Sequence, residues 1–175
     1  MAKKRFRDAL ERYRRELQRN LLARPGVHEF VLVLDGLKAG YNVAKILRSA
    51  EVFGVRRVYL VDIGPFDPAP AKGALRKVPL RLCASFAEAH AELSDEGYAF
   101  FLLGPDAESP LHAAEIPTRS AFILGHEEFG PRLDGRDWPG IQSLCIPQYG
   151  QTQSLNVSVA AGIVMYEYCR RYGRT

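Results

Sequence analysis

Asn42, Arg48, Glu127, Ser154 and Asn156 are the side chains of this 175-residue sequence whose types and surroundings suit them to chemistry. They lie in three stretches, DGLKAGYNVAKILRSAEVFGV (35–55), FILGHEEFGP (122–131) and CIPQYGQTQSLN (145–156), each leaving an apolar run through glycines, amides or hydroxyls. Asn42 opens a helix, where it either caps the backbone or touches a ligand. Arg48 follows six positions later, beside that helix's apolar stripe. An arginine there costs desolvation unless it meets an anion, and a structural Asp or Glu would serve as well as a bound one. Gly125 and Gly130 flank Glu127 and permit close backbone approach. Pro147 and Gly150 interrupt the third run before Ser154 and Asn156, and Ser154 reads equally well as a simple helix cap.

Several familiar chemistries are excluded. No G-x-G-x-x-G follows a strand and no G-x-x-x-x-G-K-[ST] is present, which removes a Rossmann dinucleotide site and a P-loop. The G-x-S-x-G elbow of hydrolases is missing too. His126-Glu127-Glu128 begins like H-E-x-x-H, but Gly130 stands at the second histidine position, and the other histidines (28, 90 and 112) are isolated. No metal site is expected. Cys83, Cys145 and Cys169 are far apart, odd in number and without a C-x-x-C pair, as in a reducing cytoplasm, and each is expected to be a small core residue.

The elements that must position these residues can be read from periodicity. Phe6, Leu10, Tyr13, Leu17 and Leu21 recur at helical spacing, so residues 3–23 form an amphipathic helix, stopped by Pro25-Gly26. Strands are expected at 29–35, 56–62, 98–104, 121–125 and 143–147, with helices at 42–53, 85–93 and about 155–171. Ser85 and Glu88 make a capping-box pattern, and residues 63–81 read as a long loop with room for one helical turn, of a length that is usually functional or mobile. Strand and helix alternation predicts a single α/β domain, a mostly parallel sheet with helices on both faces. Ligands in such sheets bind beyond the carboxyl ends of the strands, where the three stretches fall. The last helix is unusual: almost wholly apolar from Val157 to Met165, yet entered through Gln151, Thr152, Gln153, Ser154 and Asn156.

Charge is unevenly spread. Residues 1–24 hold nine Lys/Arg against three Asp/Glu, while the whole chain carries a net +4. A basic leading helix suits a polyanion, nucleic acid first, although a solvated charged face explains it about as well. No apolar run is long enough to span a membrane, and no signal peptide is visible. A cytoplasmic protein is expected.

Taken together, the three stretches resemble the sequence motifs of the SpoU (TrmH-like) branch of the SPOUT RNA methyltransferases. Asn42 with Arg48 and Ala50 matches the first motif, L-G-x-E-x-x-G at 124–130 the second, and I-P-x-x-G-x-x-x-S-L-N-V-S at 146–158 the third. The resemblance covers residues 27–171. It implies a C-terminal deep trefoil knot, S-adenosylmethionine bound in that knot, methyl transfer to a ribose 2′-hydroxyl of RNA, and a homodimer. The resemblance assigns Arg48 to activation of the hydroxyl, as base, as alkoxide stabiliser or together with a substrate phosphate. Asn42 would orient the ribose, Glu127 the active-site loops, and Ser154 and Asn156 would hydrogen-bond cofactor or substrate. Leu103, Gly104, Gly125, Ile146, Ser154 and Leu155 are the expected cofactor-binding positions. Gln148 and residues 151–153 depart from the family's usual pattern. Compact size and the basic leader favour tRNA, with rRNA as the alternative. A non-catalytic RNA-binding member and a basic module using only residues 1–24 are the rival readings.

Overall fold

The computed structural model describes residues 2–125, 133, 138–151 and 154–173, with side chains from residue 7 onward. Seven strands form one sheet: β1 (Val31–Asp35), β2 (Arg57–Val61), β3 (Leu80–Cys83), β4 (Ala99–Leu103), β5 (Ser109–Pro110), β6 (Ser120–Leu124) and β7 (Ile141–Cys145). Their order is β3-β2-β1-β6-β4-β7-β5, and every neighbouring pair runs parallel. Parallel strands need both faces covered, which is why VLVLD and SAFIL are buried from end to end. Among the described residues four α-helices supply the cover: α1 (Ala2–Asn20), α2 (Tyr41–Val52), α3 (Phe86–Asp95) and α4 (Val157–Tyr172). Alternate residues of β1 separate the two cores. Leu32 and Leu34 pack with α1, α2 and α4 through Tyr13, Val43, Ile46, Leu47, Ala161 and Val164. Val31 and Val33 face the opposite side, where Phe86, Ala89 and Leu93 of α3 close the sheet. The expected layered fold is present, with three helices on one face and one on the other.

Helix α1 is part of this core rather than an appended basic arm. Tyr13 is buried and meets Phe66 edge-on, with ring centroids 5.1 Å apart. The helix ends at Asn20, short of the expected Pro25-Gly26 stop, because the Asn20 side chain turns inward. Its amide donates to the Leu75 and Val78 carbonyls, and its oxygen accepts from Leu80 N–H at 3.1 Å. Gly26 serves close packing instead of helix termination. A Cβ there would sit 2.3 Å from the Gly54 backbone, so only glycine fits. Asn20→Ala should lower unfolding free energy by about 3 kcal/mol, since buried carbonyls lose their donor. A chemical denaturation midpoint within error of the parent would refute that anchoring role.

Two further expectations are corrected. Residues 63–81 are not one loop: 3₁₀ turns at Ala69–Ala71 and Ala74–Arg76 precede the edge strand β3. Its exposed Arg81 and Leu82 and the preceding Pro79 disguise it as loop sequence. Ser85 is the N-cap of α3 but makes no side-chain cap bond; Glu88 instead accepts from the Ala84 N–H at 2.8 Å. The three cysteines are free.

The carboxyl-terminal half of α4 is pinned to the crossover leading into β6. Tyr168 donates to the Thr118 carbonyl at 2.6 Å, Tyr172 to Ile116, and Arg171 to the carbonyls of Leu111, His112 and Ala114. Glu167 accepts from both Arg170 and Arg171. The Arg170 hydrogen bond, with Arg171 adding to it, holds the Glu167 carboxyl down at about 2. A carboxyl lower in the folded than the unfolded chain stabilises above its unfolded value, and that stability fades as pH falls through the folded value. Glu167→Gln should thus cost about 2 kcal/mol at neutral pH. The deficit should shrink between the ordinary carboxylate range and about pH 2, read by urea titrations at stepped pH. A deficit independent of pH would contradict this.

Candidate active site at the carboxyl ends of four strands

Strands β1, β6, β4 and β7 are neighbours, and their carboxyl ends lie level. Leu34 pairs with Leu124, Leu124 with Leu103, and Leu103 with Leu144. One residue further along the last three strands stand Gly125, Gly104 and Cys145, followed by Ile146. Three exits separate in sequence thus meet along one edge, as parallel-sheet geometry requires. The Gly104 N–H continues the ladder to the Leu144 carbonyl at 3.0 Å, and a Cβ on Gly104 would meet nothing within 4 Å. Leu102 and Leu144 are buried, whereas Leu103 and Ile146 are only half so. An apolar wall therefore rises out of the core beside open backbone. That combination suits a flat heteroaromatic group held by backbone amides and carbonyls, such as an adenine.

The polar entrance to α4 has a definite role. Asn156 is its N-cap: Oδ1 accepts from the Ser158 N–H at 2.9 Å and from Ser158 Oγ at 2.6 Å. Its Nδ2 donates to Asn42 Oδ1 at 3.3 Å. A single amide therefore ties the start of α4 to the start of α2, joining residues 114 positions apart. Much of the side chain is spent on this junction, so Asn156 acts chiefly by positioning. Ser154 and Leu155 precede it and are exposed. Glu127, Thr152 and Gln153 lie outside the described residues.

Arg48 is not brought to that junction within one chain. Six residues of helix carry it about 9 Å along α2 and about a third of a turn round from Asn42. It is exposed and forms no ion pair with any other described residue, so the structural Asp or Glu partner is not found there. With Tyr41, Lys45 and Val52 it makes an outward stripe at spacings of 4, 3 and 4. On α4, Val159, Ile163 and Tyr166, with Leu155 just before the helix, form a second exposed stripe; Val159 and Tyr166 retain 49% and 61% exposure. The stretch from Val157 to Met165 is as apolar as expected, but its outer face is open in the single chain. Helices α2 and α4 pack against each other.

Asp35, at the end of β1, is a buried acid on the same edge that no motif singled out. Gly36 follows with φ 62°, turning the chain out of the sheet while its N–H bonds the Val61 carbonyl. Only the passage of a buried strand into an acid and a glycine marked this position. Among the described residues no group of three His, Cys, Asp or Glu is arranged to hold a metal. No described helix is long and apolar enough to cross a membrane.

Comparison with known proteins agrees with this geometry. The profile of the SpoU rRNA Methylase family matches residues 29–166. The 23S rRNA (guanosine-2'-O-)-methyltransferase RlmB of Xylella fastidiosa is 31% identical over 158 residues, 87% of this chain but 63% of that relative's length. A TrmH-family protein from Porphyromonas gingivalis has 30% identity and a TM-score of 0.70, over 84% of this chain and 61% of that one. A structure concerned with 2-OH methylation of C/U34 on tRNA has 28% identity and a TM-score of 0.70, over 84% of this chain and 99% of that one. With the profile spanning most of the chain, and the described strand ends of the motifs lying level on one sheet edge, this protein belongs to the SpoU rRNA Methylase family.

Proposed function

We propose that the chain transfers a methyl group from S-adenosylmethionine to a ribose 2′-hydroxyl of RNA, with ribosomal RNA as the first substrate class. The observation that carries this is the level alignment of Leu103-Gly104, Leu124-Gly125 and the Cys145-Ile146 exit beneath the Asn42–Asn156 junction. The name of the curated relative moves the preference from tRNA, expected from size and the basic leader, to rRNA. A tRNA substrate remains the second reading, because the chain spans 99% of the tRNA-directed structure.

When bound, S-adenosylmethionine would supply an electrophilic methyl to the 2′-oxygen and leave as the neutral thioether S-adenosylhomocysteine, the hydroxyl proton passing to water or to a substrate phosphate. Leu103, Ile146 and Leu155 would enclose the adenine, and the backbone at Gly104 and Gly125 would approach its polar edge. Asn42, held by Asn156, would orient the ribose. A guanidinium keeps its charge in proteins, so Arg48 would stabilise the oxyanion that develops rather than abstract the proton. Because Arg48 faces outward from its own chain, it would act in the pocket of a second copy. The exposed stripe of α4 supports such a homodimer, since a monomer rarely leaves a large contiguous apolar face in water. The knot implied by the family's motifs belongs to this reading; the insertion of β6 between β1 and β4, with β7 beyond β4, supports it. Calorimetry with S-adenosylmethionine tests the reading: one site per chain is expected, and no heat of binding would refute it.

A further inference from the structure

In sequence the basic leader and the 63–81 segment are separate features, and the fold joins them. Arg12 and Arg15 of α1 face Lys72 and Arg76 across a cavity of about 260 Å³, whose wall is completed by Glu16 and Gly73. Four cations thus converge beside two acids, one of which, Glu16, keeps its Oε2 buried without a hydrogen-bond partner. Asp67 accepts two hydrogen bonds from Arg12 at 3.2 Å, and Glu16 pairs with Arg19 at 3.5 Å. Arg15, Lys72 and Arg76 are exposed, and none has an ion-pair partner among the described residues. The Nε of Arg12 is buried without a hydrogen-bond acceptor.

The second wall is shaped by an unusual bend. Lys72 and Gly73 both lie in the left-handed region, at φ 50° and 85°. For lysine this conformation costs about 1 kcal/mol or more. Gly73 also leaves room for Arg76: a Cβ there would come within 3.4 Å of its Nη2. Arg12 is paired with Asp67, but Arg15, Lys72 and Arg76 have no paired acid among the described residues and repel one another, so the arrangement makes sense when a strong anion joins them.

The notch also connects to the active-site edge. Asp67, which holds Arg12, lines a neighbouring cavity of about 240 Å³ with Leu10, Gly40, Tyr41 and Phe66. Tyr41 is 71% exposed and immediately precedes Asn42. A strand leaving Asn42 can stack a base on Tyr41 and bring its next phosphates to the notch.

We propose that the notch formed by Arg12, Arg15, Lys72 and Arg76 binds a backbone phosphate of the RNA strand that flanks the target nucleotide. The proposal rests on the function above for its substrate class, but its own observable is phosphate binding. Two cations are removed from the notch in the full-length chain with Lys72→Gln/Arg76→Gln. The matched control is Arg14→Gln/Arg24→Gln, exposed residues outside the notch. The probe is a fluorescent 20-nucleotide single-stranded RNA of mixed sequence, titrated between 50 and 200 mM salt (about the range over which phosphate contacts dominate). The notch variant should bind about tenfold more weakly at the upper end, and its log–log salt slope should fall by about 1. The control should change affinity about twofold, and all three proteins should bind S-adenosylmethionine equally. Equal losses in both variants would reduce the notch to general charge and overturn the proposal, as would an unchanged slope or a parent that binds no RNA. If the notch variant loses RNA affinity while the parent methylates no RNA, the notch stands and the enzymatic reading fails.

Discussion

Arg48→Ala should reduce methyl transfer by at least about a hundredfold while leaving S-adenosylmethionine affinity within about twofold. Its chemistry and its place both lead there. Arg48 is exposed on α2 and is no party to the Asn42–Asn156 hydrogen bond, so removing it opens no core. An exposed substitution of this kind changes stability by about 0.5 kcal/mol or less. If the guanidinium meets the oxyanion, the loss falls on kcat with cofactor binding intact. Arg48→Lys should recover only part, since an ammonium lacks the planar donor fork. Single-turnover transfer measured alongside calorimetry separates the possibilities. Loss of cofactor binding in Arg48→Ala would assign the residue to the fold, and unchanged turnover would remove it from the site.

The second large effect concerns the outer face of α4. Ile163 lies at the centre of the stripe of Leu155, Val159 and Tyr166. Ile163→Glu should leave the isolated fold intact, because that side chain is already partly in water, but should place an unpaired carboxylate inside a subunit interface. Burying such a charge costs several kcal/mol, enough to shift a micromolar dimer to monomer. Sedimentation should show a monomer, and methyl transfer should fall with it. A mixing experiment sharpens the point. Arg48→Ala chains combined with Asn156→Ala chains, each nearly inactive alone, should regain activity on subunit exchange, because one of the two shared pockets is then complete. A monomeric parent, or no recovery on mixing, would show that each chain works with its own Arg48.

Much of the frame could be read from residue patterns, and the reasons are physical. Short apolar runs rich in branched and aromatic residues, such as EFVLVLD and AFILG, read as buried strands, and the 3.6-residue stripe of α2 is equally plain. Edge elements escaped because burial no longer patterns them: β3 alternates with arginine, and β5 is two residues long. Side-chain anchors escaped for another reason. Asn20 is a polar residue made structural by partners distant in sequence, Asp35 is buried at a strand end, and composition places both on the surface. The site divides similarly. The family resemblance pointed to Leu103, Gly104, Gly125, Ile146, Asn42 and Asn156 as residues to inspect, and the sheet sets the strand-end positions level while one hydrogen bond joins the two asparagines. It did not show that Asn156 spends its side chain on a cap and a bond to Asn42. Nor did it show that Arg48 turns away from that edge.

The basic leader changed most in meaning. Because Tyr13 and Asn20 are built into the core, deleting residues 1–22 would measure folding rather than RNA affinity. Point substitutions of exposed arginines are the informative route.

Following the methyl group itself decides whether this chain is a ribose methyltransferase. The purified protein is incubated with methyl-labelled S-adenosylmethionine and, separately, unmodified 23S rRNA transcript and unmodified tRNA, and each RNA is digested to nucleosides. Label in a single 2′-O-methylated nucleoside from the rRNA is the expected result. Label on a base instead of a ribose, or no label in either RNA from a protein that binds the cofactor, would contradict it.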